Sequence, residues 1–171
     1  MGAVRAGDVH CIGLLFERHH RQLFRFFYRL FDDRASADDL VQDVFVRVLK
    51  YPHTYRDGVP FAPWLFRIAR NAGHDFAKGC QTFESIADEQ NVAAKEPDPA
   101  VHFEQREQVA LLKQALMRLP LAKRELIVLA RWHGMSHQQL GELMGVDGAT
   151  MRVRLHRALQ QLESLLARCK V

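Results

Sequence analysis

Ser136-His137-Gln138-Gln139-Leu140-Gly141-Glu142-Leu143-Met144-Gly145-Val146-Asp147-Gly148-Ala149-Thr150-Met151-Arg152-Val153-Arg154-Leu155-His156-Arg157-Ala158 is the stretch that decides the fold. Ser136 stands three residues before Gln139, the spacing of a capping box, in which the two side chains satisfy free amides at a helix start. Leu140, Leu143 and Met144 give the short helix that follows an apolar side. Gly145 suits the left-handed conformation at that helix's end, and Asp147 is placed to cap the next helix. This order of short helix, tight glycine turn and second helix matches the helix-turn-helix pattern. On a wheel of about 100° per residue, Met151, Leu155, Ala158, Leu159, Leu162, Leu165 and Leu166 share one arc. Ala149, Arg152, Val153, His156 and Arg157 share the opposite one. A helix that reads DNA needs that division, with an apolar back to hold it and a front of donors for base edges and phosphates. An ordinary amphipathic helix with a solvated basic face shows the same split, so the caps, the turn and the arginine front are weighed together.

Working outward, helical periodicity recurs and strand signals are nearly absent, so the expected fold class is all-α. The spacing predicts a helix from about Val9 to Phe31, with apolar residues at 12, 15, 16, 23, 26, 27, 30 and 31 and with Arg18, Arg21, Arg25 and Arg29 on the remaining surface. Asp32-Asp33-Arg34 breaks the pattern. Ser36, three residues before Asp39, marks the next start and predicts a helix that buries Leu40, Val41, Val44, Phe45, Val48 and Leu49 and ends near Tyr51-Pro52. A loop with Gly58 and Pro60 leads to a further helix from Phe61–Pro63, carrying Trp64, Leu65, Ile68, Ala69, Ala72 and Phe76 along one side. Periodicity fades from about Gly79 to Ala100, where acidic residues, Pro97 and Pro99 suggest a linker. It returns with Val109, Leu112, Leu116 and Leu119, and again from Leu126 to Ala130. Two small helical domains joined by an acidic flexible linker follow: residues 8–79, a linker over 80–107, and a helix-turn-helix domain over 108–168.

Composition narrows the function classes. The chain has 171 residues, 48% hydrophobic and 26% charged, an ordinary globular balance. Its apolar runs fall far short of the ~18 residues of a membrane-spanning helix. Arg5, Asp8 and His10 interrupt any signal-peptide core, so a cytoplasmic protein is expected. Cys11, Cys80 and Cys169 are too scattered for a disulfide frame or a zinc knuckle. The net charge of +4 divides into +3 over residues 1–80, −5 over 81–110 and +6 over 111–171. Two basic modules on a polyanion, joined by a segment that repels it, would produce this pattern, and so would chance variation of surface charge.

Two ordered segments carry a family resemblance. Asp39-Leu40-Val41-Gln42-Asp43-Val44-Phe45, followed by Phe61-Ala62-Pro63-Trp64-Leu65-Phe66-Arg67-Ile68-Ala69-Arg70-Asn71, resembles the N-terminal domain of bacterial extracytoplasmic-function sigma factors. The stretch from Gly145 to Ala158 resembles their C-terminal helix-turn-helix. The resemblance implies a non-catalytic initiation subunit without cofactors or a small-molecule substrate, partnered by core RNA polymerase, promoter DNA and an anti-sigma factor that can be membrane-bound. It implies that Asp39, Gln42, Asp43 and Phe45 face the clamp helices of the polymerase's largest subunit. Tyr55, Arg56, Phe61, Trp64, Arg67, Arg70 and Asn71 would meet the non-template strand at the minus-ten element. Melted DNA needs aromatic surfaces and a basic track, although Phe61 and Trp64 at helical spacing with Leu65 and Ile68 fit a core better, which leaves Tyr55, Arg56, Arg67 and Asn71 as the stronger candidates. Ala149, Thr150, Arg152, Val153, His156 and Arg157 would read the minus-thirty-five element. The acidic linker would pass along the polymerase's RNA path.

Departures from the family pattern are visible too. Val153 stands where a polar or basic residue is common and suits a thymine methyl. Gly141 replaces the usual Ala, at ~1 kcal/mol of helix propensity. Gly73 to Gly79 carries little positive charge after Asn71. The competing functions are a helix-turn-helix regulator that acts without polymerase, which leaves the first 78 residues idle, and a His-based metalloenzyme. For the latter, His133 and His137 are separated by a turn, and no HExxH accompanies them.

Overall fold

The first helix ends on an aspartate in an unusual backbone state. Asp32 has φ +58°, a left-handed conformation that Asp tolerates better than most residues, and its amide donates to the Tyr28 carbonyl at 2.9 Å. Helix α1 (Val9–Phe31) stops there, and α2 (Arg34–Lys50) begins at once. The start predicted at Ser36 is therefore displaced. Asp33 is the N-cap, and its carboxylate accepts the Ser36 amide at 2.7 Å. The hydrogen bonds from Ser36 hold the Asp33 carboxyl below its usual value.

The computed structural model describes residues 9–84 and 103–169. A one-turn 3-10 segment (Pro52–Thr54) follows α2, then α3 (Phe61–Glu84), α4 (Phe103–Met117), α5 (Leu121–Arg131), α6 (His137–Met144) and α7 (Gly148–Cys169). Among the described residues all regular structure is helical, and no helix is long and apolar enough to cross a membrane. Helix α3 runs to Glu84, beyond the Gly79 at which apolar periodicity fades. Most of the acidic segment read as a linker, including Asp88, Glu89, Glu96 and Asp98, lies outside the described residues.

The chain divides into two units, one centred on α1–α3 and the other on α4–α7. In the first, Leu23, Phe26, Phe27 and Leu30 of α1 are buried with Leu40, Val41, Val44, Phe45 and Val48 of α2 and with Trp64, Leu65, Phe66, Ala69 and Ala72 of α3. Phe26 meets Phe66 edge-on at 5.4 Å and Phe31 meets Phe76 at 5.0 Å, arrangements that aromatic pairs favour. Leu49, expected inside, is 50% exposed. Its neighbours already fill the stripe that a helix can turn toward one core.

In the second unit Ala115, Leu116 and Leu119 share the buried set with Leu126 to Leu129, Leu140, Met151, Leu155, Ala158 and Leu162. Each fully buried Leu or Met side chain contributes about 1.5–3 kcal/mol. Val109, expected on the apolar side of α4, is exposed, and Ala115 is the residue fully enclosed there. Arg124 closes the end of α4, donating to the Leu116 carbonyl at 2.8 Å, the Leu119 carbonyl at 3.0 Å and the Met117 carbonyl. The last carbonyls of a helix lack partners within it, and one guanidinium supplies them here.

Candidate nucleic-acid and protein interfaces

The turn between α6 and α7 is built as its residues require. The Ser136 amide donates to Gln139 Oε1 at 2.9 Å and the Gln139 amide donates to Ser136 Oγ at 3.2 Å, a complete reciprocal capping box. Gly145 has φ +70°. Asp147 Oδ1 accepts the Thr150 amide at 2.7 Å and its Oδ2 accepts the Thr150 hydroxyl at 2.6 Å. These bonds lower the Asp147 pKa, the hydroxyl's most. Gly141 answers a close approach, because a Cβ there would lie 2.5 Å from the Val146 carbonyl oxygen. An alanine at this position would push apart the two helices that the motif holds together.

With α7 so placed, Met151, Leu155, Ala158 and Leu162 are buried, whereas Ala149, Arg152, Val153, Arg154, His156 and Arg157 are exposed. The exposed row is the one the wheel separates. Val153 presents an apolar surface, 47% exposed, among the basic side chains. Thr150 is the exception among the residues expected to read DNA. It is half-buried and its hydroxyl serves the Asp147 cap, so it shapes the helix start and has no hydroxyl proton to give a base.

In the first unit, the loop between α2 and α3 is closed by the residues expected to stack on melted DNA. Trp64 is buried and its indole N–H donates to the Thr54 hydroxyl at 3.2 Å. Tyr55 packs edge-on against Trp64 at 5.3 Å and near Phe61 at 6.0 Å, while its hydroxyl donates to the Val59 carbonyl. Phe61 also meets Trp64 at 5.5 Å and the His19 ring at 5.1 Å. Burial keeps the His19 imidazole below its usual pKa and therefore mostly neutral at pH 7. Trp64 is thus part of the core and offers no free face to a base. Arg56, Arg67 and Asn71 are exposed and Arg70 is half-buried, leaving a polar track beside the aromatic cluster.

On α2, Asp39 and Gln42 are exposed, as a docking face requires. Phe45 is not on that face. It is 5% exposed and packs against the Phe16 ring at 4.9 Å, because it continues the apolar side of Val41, Val44 and Val48. Asp43 is tied down, accepting from Arg47 Nε at 2.9 Å while Arg47 also donates to Asp75 of α3 at 2.8 Å. Burial opposes the Arg47 charge, but the hydrogen bonds it donates to Asp75 and Asp43 outweigh it and raise the guanidinium pKa. Two apolar residues lie on the same exposed side of α2. Val46 is 58% exposed and Leu49 is 50% exposed, and both continue the helical spacing of Asp39 and Gln42. The signal was available, since five residues of one core stripe leave no place for two more.

The chain matches two family signatures, Sigma-70 region 2 over residues 15–80 and Sigma-70 region 4 over residues 110–162. It is 30% identical to the RNA polymerase sigma factor NccH of Alcaligenes xylosoxydans xylosoxydans, over 96% of this chain and 91% of that one. It is 32% identical to CarQ of Myxococcus xanthus, over 89% and 87% respectively. The chain belongs to the extracytoplasmic-function sigma factors of RNA polymerase. Another relative, the ECF sigma factor SigE of Mycolicibacterium smegmatis, is 33% identical over 90% of this chain, which spans 61% of that longer protein. The sigma-factor fold is shared with solved structures as well. RpoE of Bartonella quintana, solved with the anti-sigma factor NepR, superposes with TM-score 0.74 at 24% identity, covering 93% of this chain and 98% of that one. CnrH, solved with the cytosolic domain of CnrY, gives 0.72 at 24% identity, covering 98% and 94%. As a sigma factor the chain serves promoter-directed transcription initiation, and sigma factors in general are not enzymes.

Proposed function

We propose that the unit on α1–α3, residues 8–79, docks on core polymerase and engages the minus-ten element, that residues 80–107 link the units, and that residues 108–168 read the minus-thirty-five element. The observation that carries this reading is the exposed row Ala149, Arg152, Val153, His156 and Arg157 on α7, held outward by a completed capping box, the Gly145 turn and the Asp147 cap. Arg152 and Arg157 are the side chains suited to bidentate guanine or phosphate contact, and Val153 is suited to a thymine methyl. Arg56, Arg67, Arg70 and Asn71 supply the minus-ten track, supported from beneath by Tyr55, Phe61 and Trp64. Asp39, Gln42, Val46 and Leu49 form the docking face, with Asp43 orienting α2 through Arg47.

This sigma factor works in the cytoplasm without catalytic activity or cofactor, and an anti-sigma factor is its further partner. The complexes solved for RpoE and CnrH support that partner class. A transcription assay with core polymerase and the native promoter tests the whole reading. Asp39→Lys with Gln42→Lys abolishes holoenzyme formation while helicity is retained. Arg152→Ala and Arg157→Ala leave holoenzyme intact but weaken promoter use, each by about 1–3 kcal/mol if the lost contact is to a guanine. Full transcription by the arginine variants would refute the reading helix, and wild-type affinity for core enzyme would refute the docking face.

A further inference from the structure

Val153 sits at the middle of the face that α7 turns away from its core. On a helix advancing about 100° per residue, the buried Leu162 lies about 180° round from it, and the buried Met151 and Leu155 lie about 160° away on either side. Its chain neighbours Arg152 and Arg154, both exposed, flank it at about 100° on the two sides. Ala149, His156 and Arg157, also exposed, stand within about 60° of it. Thr150 is half-buried, and its hydroxyl is given to the Asp147 carboxylate at 2.6 Å. The centre of the face is thus aliphatic and its sides are cationic. A valine so placed serves neither the core nor the helix, since it is 47% exposed and β-branching lowers helix propensity.

We infer that Val153 seats the C5-methyl group of a pyrimidine in the major groove, so that this helix favours thymine over uracil and 5-methylcytosine over cytosine at one base pair. The inference rests on α7 being the helix that reads the minus-thirty-five element, and it narrows that reading to one chemical group. Val153 lies in the second turn of α7, near the N-terminal end that such helices present to the bases. A helix laid in a major groove about 12 Å wide brings the middle of its outer face against the base edges and its two sides toward the phosphate walls. Arg152 and Arg154 therefore track the backbones, which every sequence presents alike. At the centre, an isopropyl group neither donates nor accepts. A polar base edge pressed against it loses its water and gains no partner, which is costly. The apolar group that a base pair offers in that groove is the thymine C5-methyl. A cytosine methylated at C5 offers the same methyl at the same place. Methylation of a promoter cytosine at that base pair therefore strengthens recognition, a regulation carried by the DNA itself.

A base-by-base scan of the native minus-thirty-five element tests the inference, using holoenzyme assembled from the full chain and core polymerase, with affinity read by gel shift. Each thymine is replaced in turn by deoxyuridine, which removes the methyl and nothing else. At one position the wild-type protein loses about fourfold in affinity, the weight of one methyl group taken from water. At that base pair cytosine is bound more weakly than thymine, and 5-methylcytosine recovers about fourfold. Val153→Ala folds normally by circular dichroism, because the residue is exposed and alanine is the better helix former. It binds the thymine and deoxyuridine duplexes equally, and likewise the cytosine and 5-methylcytosine duplexes. Arg154→Ala weakens all of these duplexes alike and flattens the salt dependence. A deoxyuridine scan without effect at any position, or a methyl preference that Val153→Ala retains, would overturn the inference. If the scan is flat while Arg152→Ala with Arg157→Ala still weakens promoter binding, the reading helix stands and the methyl contact falls. If the arginine pair has no effect either, the reading helix falls with it.

Discussion

The two units place their candidate contacts in opposite relations to their scaffolds. In the α4–α7 unit, the residues that hold α7 and those that face outward are almost separate sets. Met151, Leu155, Ala158 and Leu162 are buried, the caps lie at the helix start, and the basic row is exposed. In the α1–α3 unit they overlap. Tyr55, expected to meet DNA, closes the loop together with Trp64, whose spacing already fitted a core, and Asp43 is held by an arginine shared with α3. Sequence change can therefore alter contact alone in one unit, whereas in the other it alters contact and stability together.

The largest expected effect tests that overlap. Trp64→Ala removes a buried indole and its hydrogen bond to Thr54, costing about 3–5 kcal/mol. Amide exchange should accelerate throughout α1–α3, and minus-ten function should fall with it. Wild-type exchange rates in this variant would show that the aromatic cluster is not scaffold, and the contrast between the units would disappear.

A smaller loss is expected from Gly141→Ala. Alanine gains ~1 kcal/mol in helix propensity, but its Cβ would sit 2.5 Å from the Val146 carbonyl oxygen, and forced overpacking costs about 1–3 kcal/mol. Urea unfolding should show net destabilisation, with weaker minus-thirty-five binding because α7 is re-aimed. A neutral or stabilised variant would mean that the turn has slack.

The smallest effect sharpens the comparison through pH. The carboxyl pKa values of Asp33 and Asp147 are both lowered by hydrogen bonds, from Ser36 and Thr150 respectively. A lowered folded-state value means that the unfolded chain takes up the proton first. The stabilisation is thus complete above the ordinary carboxylate value and is lost as pH falls toward the native one. Thermal midpoints should decline on acidification below about pH 4, and less steeply in Asp33→Asn and Asp147→Asn. Profiles parallel to wild type would remove both caps from the account.

Much of this was legible in the residues. The helix-turn-helix was fully specified, because Ser136, Gln139, Gly145 and Asp147 act on backbone groups within three residues, and local chemistry survives folding unchanged. Local cues were less decisive at α2. Ser36 was read as a cap, yet Asp33 could do the same work three residues earlier, and the left-handed Asp32 that brings it into position leaves no motif. The fates of Phe45 and Leu49 depended on how wide a stripe the core would accept. Three features pair residues far apart in sequence or across a turn: Arg47 with Asp75, Trp64 with Thr54, and Arg124 with the carbonyls of α4. No periodicity encodes them. Val46 and Leu49 were recoverable, since counting apolar residues around the α2 circumference shows a surplus.

Under the proposed reading of α7, the separation seen on it bears on how promoter preference can change over evolutionary time. The side chains at 149, 152, 153, 156 and 157 can be exchanged without disturbing the buried row or the caps. Duplicated genes could then diverge in target sites through a handful of codons while each product still folds. Val153 already shows that tolerance, an aliphatic side chain seated among cations at no visible cost to the helix beneath it.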